Sequence, residues 1–185
     1  MSRVLVVLLF ALITAPGCGG TSPYAVQNDI KSGNLEGAAQ KLEQRRTEEP
    51  DDFDTRLELA DVYYQMARKS LDGNDQAAYV SYLSKAQGEI LEAVRIDPTS
   101  PRPHTWLGII TAYQGDLNAS ETSFKNALRL NLRERMELRG GTYYSNIAHI
   151  SVYQGKLGDA RRYLDKGAKM GAPQDELDRI PSEVR

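Results

Sequence analysis

The chain has 185 residues, with 23 Lys and Arg against 25 Asp and Glu, a formal net charge of −2 and a hydrophobic content of 41%. That length is enough for one domain with a substantial core. The near-balanced charge excludes a broad basic surface for nucleic-acid phosphates, and His104 and His149, far apart and without a second ligand at helical spacing, exclude a zinc site.

The chain opens with an address. Arg3 is followed by the unbroken apolar run Val4 to Ile13 and then by Thr14-Ala15-Pro16-Gly17-Cys18. A charged start, a short apolar stretch and small residues before a cleavage point make a secretory signal peptide. The apolar run is about ten residues, whereas a helix spanning a bilayer needs ~20. The only cysteine, Cys18, stands directly after Ala15-Pro16-Gly17. The stretch resembles the bacterial lipobox, with Pro16 and Ala15 as departures from its usual residues. The resemblance implies that residues 1–17 are a lipoprotein-type signal peptide and that Cys18 becomes the acylated first residue, held at a membrane by several acyl chains. Gly19 in place of Asp fits outer-membrane sorting under the enterobacterial rule, facing the periplasm. Residues 18–23 then form a flexible spacer.

The rest reads as paired helices. A short polar helix is expected over about Tyr24 to Ser32, then a turn at Gly33-Asn34, a helix carrying Leu35, Ala38 and Leu42, and Pro50 as a stop. Asp51-Asp52 are good N-caps for a helix carrying Leu57, Leu59, Ala60, Val62, Tyr63, Tyr64 and Met66. An insertion around Ser70 to Ala78 stands where the next turn belongs, ahead of a helix with Ala86, Ile90, Ala93 and Ile96 on one face. The stretch Pro101 to Asn131 predicts a helix through Trp106 to Tyr113, a tight turn at Gln114-Gly115-Asp116-Leu117, and a helix over Asn118 to Leu130. A fourth unit, Tyr144 to Gly171, repeats this pattern, with Tyr153-Gln154-Gly155 matching Tyr113-Gln114-Gly115 and extra residues over Arg133 to Gly141. Asp175 to Arg185 reads as a short polar helix interrupted by Pro181.

Ala86, Ile90, Ala93 and Ile96 recur 34 residues later as Ser120, Phe124, Ala127 and Leu130. This periodicity and residue pattern resemble tetratricopeptide repeats. In that family small residues at the eighth, twentieth and twenty-seventh places let the two helices of a unit approach. Those places hold Ala60, Ala86 and Ala93, then Gly108, Ser120 and Ala127, then Ala148, Ala160 and Gly167. Leu42, Ile90, Phe124 and Leu164 stand at the large twenty-fourth place. The resemblance implies an all-α helix–turn–helix solenoid of about four repeats, the first partial and the second expanded, over residues 24–174, with 175–185 as a C-terminal tail.

No catalytic or cofactor motif is present. Asp72-Gly73-Asn74-Asp75 lacks the glycine and glutamate of a calcium loop and reads as a turn, and no nucleophile elbow or phosphate-binding glycine loop occurs. Glu48-Glu49 with Asp51-Asp52 reads as a solvated corner with a helix cap. The expected activity is therefore binding. In tetratricopeptide arrays the first helix of each repeat lines a concave groove. On a helical wheel Arg102, Trp106, Ile109 and Tyr113 share one arc. Asn146, His149 and Tyr153 continue it in the fourth unit, and Asp54, Glu58 and Asp61, flanked by Tyr64, do so in the second. Two readings stay open for the aromatic residues: they line the groove, or they pack against neighbouring repeats. The three acidic residues on one arc repel each other unless a cation arrives, which suggests a partner segment with apolar and basic residues. The carboxylate clamp of chaperone-binding members is not reproduced, because its places hold Leu57, Asp61, Thr105, Ile109 and Ser145, with only Asn146 in agreement.

The expectation is a non-catalytic, lipid-anchored repeat protein of the cell envelope that binds another protein without a cofactor, metal or nucleic acid. It is similar in kind to pilotins and other envelope assembly factors. The alternative is a structural or self-associating envelope protein with no dedicated peptide groove.

Overall fold

The computed structural model describes residues 22–133, 140–182 and 184. Cys18, the signal peptide and most of the spacer therefore lie outside the described residues. The described chain is helical: α1 (Pro23–Ser32), α2 (Leu35–Glu48), α3 (Phe53–Asp72), α4 (Gln76–Ile96), α5 (Pro101–Tyr113), α6 (Leu117–Arg133), α7 (Gly140–Tyr153), α8 (Leu157–Lys169) and α9 (Gln174–Asp178). None of these helices is long and apolar enough to cross a membrane.

The starts of α1 to α6 have a side-chain cap for an otherwise unpaired N–H, as short polar residues before a helix provide, whereas α8 and α9 have none. Asn34 Oδ1 accepts from Gly37 N, Asp52 Oδ2 from Thr55 N, Asp75 Oδ1 from Ala78 N and Asp116 Oδ1 from Ala119 N. The matching turns at Gly115 and Gly155 take φ of 84° and 71°, in the left-handed region that a residue without Cβ enters at no steric cost. This is why the Tyr-Gln-Gly pattern closes two successive units.

Small residues set the spacing inside each pair. Ala60, Ala86, Ala93, Ser120, Ala127, Ala148 and Ala160 are all fully buried. Gly108 shows the reason: a Cβ there would lie 2.8 Å from the Phe124 ring, so only glycine lets α5 close on α6. Ser120 Oγ donates to the Gly108 carbonyl at 2.7 Å across the same contact. The cores follow one another along the chain. One joins α1 to α4 and reaches Ile110, a second joins α6 to α7 through Phe124 and Ile147, and a third joins α7 and α8 to the C-terminus. Serial cores between neighbouring pairs are the mark of a solenoid.

One connection differs from expectation, and a second, left open by the sequence, takes a definite form. The insertion at 70–78 is not a loop. α3 runs on to Asp72 and α4 begins at Gln76, leaving only Gly73, Asn74 and Asp75 to turn, with Asn74 at φ 59°. The added residues lengthen both helices because Met66, Ala67, Tyr79 and Leu83 keep the apolar stripe going and bury it. Between the third and fourth repeats, α6 extends to Arg133 and α7 starts at Gly140, so both helices lengthen there, and residues 134–139 lie outside the described residues.

The C-terminal stretch is not a polar appendage. Leu177, Ile180 and Val184 are buried against Ala148, Ala160 and Leu164, so the segment closes the end of the stack. The physical reason is plain, since Ala148, Ala160 and Leu164 form an apolar face that this segment covers.

Candidate protein-binding cleft

The predicted arc divides into two parts. Ile109 and Tyr113 of α5 come together with Asn146, His149 and Tyr153 of α7 around a cleft of about 430 Å³. Four residues absent from the sequence-based set complete it: Ala112, Leu117, Phe124 and Ile150. Phe124 and Ile150 are buried core residues whose edges form the floor, so their place in the helix-pairing pattern concealed their second role. One step round the wheel from the groove arc finds Ile150, at i+1 of His149, and Ala112, at i+3 of Ile109, whereas Phe124 on α6 has no such signal.

The rim is polar and rigid. Gln154 Nε2 donates to the Leu117 carbonyl and to Asn118 Oδ1, both at 3.2 Å, tying the end of α7 to the start of α6. Tyr153 is 66% exposed and Tyr113 42% exposed, so both present aromatic surface to solvent at the mouth. The His149 ring meets Tyr153 edge-on at 5.0 Å. Burial pushes its imidazole below the usual histidine value, and the Arg179 charge adds to this, so the cleft holds a neutral ring near neutral pH. Every lining residue is then uncharged. Such a site favours an apolar side chain, with Asn146 and His149 as the polar groups that orient it.

Toward the second repeat the arc is closed by its own contacts. Trp106 is half-buried and packs against the first core, meeting Tyr64 edge-on at 5.7 Å. Tyr64 also meets Tyr113 edge-on at 5.2 Å, and Tyr79 Oη donates to the Tyr113 carbonyl at 2.7 Å. Burial and then the Tyr113 hydroxyl hold the Tyr64 phenol well above its ordinary value. Of the two readings for Trp106, packing between α3 and α5 is the one the contacts favour. It fixes the backbone from which Tyr113 projects.

The acidic flank is also answered from within. Asp54 pairs with Arg102 at 2.8 Å, and Glu58 with Arg45 at 3.3 Å. Asp61 accepts from Gln65 Nε2 at 3.1 Å, and its carboxyl is pushed up by burial. Pairs as exposed as Asp54–Arg102 contribute at most about 1 kcal/mol to stability. They do, however, neutralise the repulsion that suggested a cationic partner. On this arc Asp54 and Glu58 are thus met by cations and Asp61 by the Gln65 amide. The sequence could not show this, because Arg45 and Arg102 approach from different repeats.

The sequence matches no protein-family model and no curated protein. Solved structures similar to it include a thermophilic tetratricopeptide repeat protein of Thermus thermophilus, at 19% identity and a TM-score of 0.71 over 87% of this chain and 78% of that one. MamA is similar at 16% identity and a TM-score of 0.62, over 78% and 68% of the two chains. Human IFIT1 is similar at 18% identity and 0.72, over 87% of this chain but 37% of its own. At such identities the likeness concerns architecture, and with the serial cores and close helix pairs it establishes that this chain has the fold of a tetratricopeptide repeat solenoid.

Proposed function

We propose that this chain is a non-catalytic interaction protein that captures a segment of another polypeptide in the cleft between α5 and α7. The observation that carries the reading is the cleft itself: about 430 Å³, uncharged, floored by Phe124 and Ile150 and flanked by the exposed rings of Tyr113 and Tyr153. Rigid aromatic residues around an apolar depression are where binding energy concentrates at protein interfaces. With Asp54 and Glu58 already paired, the partner segment is recognised by an apolar anchor residue rather than by basic charge.

The lipobox resemblance at Cys18 supports a place for this capture. The mature chain is anchored by its acylated N-terminus, in the outer membrane facing the periplasm, and presents the solenoid on the short spacer 18–23. An assembly factor for envelope machinery, pilotin-like in kind, fits such an arrangement.

The test is site-specific photo-crosslinking in cells from position 113, followed by identification of the captured protein. The double variant Tyr113→Ala/Tyr153→Ala should lower affinity for that partner at least tenfold while helix content stays unchanged. Unaltered affinity would remove the cleft from consideration. Separately, Cys18→Ser should release the protein from membranes and abolish acyl labelling. Membrane retention without label would sink the anchor and leave the cleft reading intact.

A further inference from the structure

A second groove lies on the other side of α7. Asn146, His149 and Tyr153 turn toward the α5 cleft, whereas Tyr144 occupies the opposite face of the helix. There α6, α7 and α8 enclose about 400 Å³, with Leu128, Tyr144 and Tyr163 as floor and Lys125, Arg129 and Lys166 around the rim. Tyr144 and Tyr163 stack with centroids 6.3 Å apart. Lys166 Nζ lies 5.7 Å from the Tyr144 ring and Lys125 Nζ 6.0 Å from the Tyr163 ring. Lys125 is answered by Glu121 at 2.6 Å. Arg129 and Lys166 have no carboxylate partner among the described residues.

The stretch of sequence that contributes this groove does not carry the charge balance of the whole chain. Residues 117–169 carry ten Lys and Arg against five Asp and Glu, whereas residues 22–116 carry ten against sixteen. Much of the acid in the first half is paired inside the fold, Asp51 with Arg95 included, but Glu48 and Glu49 beside it are not. Between α2 and α3, Glu48, Glu49, Pro50 and Asp51 are all exposed. Glu48 accepts only the Gln44 amide, at 2.9 Å, and Glu49 has no side-chain partner among the described residues.

We infer that the groove between α6 and α8 receives the α2–α3 corner of a second copy of this chain. Glu48 and Glu49 meet Arg129 and Lys166, and the Pro50 ring lies on the tyrosine floor. Complementary charge within one sequence favours this occupant over the other anions. A phosphate backbone asks for an uninterrupted run of cations, which Glu121 and Asp165 break here. An anionic bilayer would meet the tethered end first, and that end belongs to the acidic half. Different patches meet in this contact, so it adds copies head to tail. Being electrostatic and exposed, it weakens with salt. It does not depend on the α5–α7 cleft.

Sedimentation of the domain from Thr21 onward, whose cores close within residues 26–184, tests the inference. In about 20 mM salt the weight-average mass should climb with concentration to twice the monomer or more, and return to monomer near 0.5 M salt. Arg129→Glu/Lys166→Glu should remain monomeric, and so should Glu48→Lys/Glu49→Lys. An equimolar mixture of the two should associate again, since each then offers what the other's groove accepts. Tyr113→Ala/Tyr153→Ala should sediment as the parent does, which separates this surface from the cleft. All four charged positions are exposed, and circular dichroism checks each fold. If a variant unfolds, the salt series on the parent domain decides. A parent that stays monomeric at low salt, association indifferent to Arg129→Glu/Lys166→Glu, or a mixture that fails to recover it would overturn the inference. So would a domain that remains monomeric and uses these two cations to bind anionic vesicles or duplex RNA.

Discussion

The first two repeats and the last two are built on one plan and treat polar surface in opposite ways. In the first half, ion pairs knit helices together. Glu89 of α4 is 7% exposed and pairs with Arg46 of α2 and with Arg56 of α3, the latter at 2.7 Å, so one carboxylate joins three helices. Tyr63 donates to Glu43 and stacks on Tyr82, and Trp106 fills the seam toward the third repeat. In the second half, apolar packing and neutral hydrogen bonds join α5, α6 and α7, an open cleft remains on one side, and on the other Arg129 and Lys166 have no carboxylate partner among the described residues. The contrast separates tasks. Apart from the α2–α3 corner, the half nearer the N-terminus pairs most of its charge within the fold, and the half farther from it leaves more surface open.

The largest effect should come from the floor of the cleft. Phe124→Ala removes the ring against which Gly108 packs and empties the centre of the second core. A loss of about 3–5 kcal/mol in urea unfolding is expected. If the loss were below about 1 kcal/mol, the second half would not depend on apolar packing as described.

Next in size is Glu89→Ala, which leaves two arginines without their carboxylate. Breaking a buried pair costs about 3–5 kcal/mol. Arg46 is partly exposed and Arg56 also donates to the Pro50 carbonyl, so about 2 kcal/mol is the better expectation here. Unfolding by denaturant reads it. A negligible change would mean that the ion pairs of the first half add little to its apolar core.

Both histidines belong to the second half, and burial lowers each below the ordinary imidazole value, with Arg129 adding to the effect at His104 and Arg179 at His149. A lowered folded value means that the unfolded chain binds the proton more tightly. The stability these rings contribute is full above the unfolded value of about 6.5 and is lost as pH falls through the folded one. Thermal unfolding at pH 7 and pH 5 should therefore show a loss at the lower pH that His149→Gln partly removes. An unchanged difference would place the pH sensitivity elsewhere.

The smallest effect concerns the flank. A double-mutant cycle on Asp54 and Arg102, paired at 2.8 Å with both side chains more than half exposed, should give a coupling of at most about 1 kcal/mol. A coupling well above that would show the acidic arc to be a stabilising device rather than a neutralised surface.

Most of the fold was legible in the chain, because a repeat states its pattern more than once. The helix order, the turns at Gly115 and Gly155, and the small residues Ala60, Gly108, Ser120 and Ala148 follow from spacing. The site was half legible. Ile109, Tyr113, Asn146, His149 and Tyr153 do converge, whereas Trp106 and Tyr64 turn into the seam, and Phe124 and Ile150 were hidden in the core pattern. The Asp175 to Arg185 stretch reads as polar because only three of its described residues, Leu177, Ile180 and Val184, are buried.

What the sequence by itself determined is local: each helix, its cap and the face it must bury, since these depend on residues a few places apart. What only the tertiary structure decided is which side chains from different helices meet. That included the pairing of Asp54 with Arg102, the burial of Trp106, and the grouping of cations around Arg129 and Lys166. Charge pairing and cleft shape depend on distances between helices, and no periodicity along one chain encodes them.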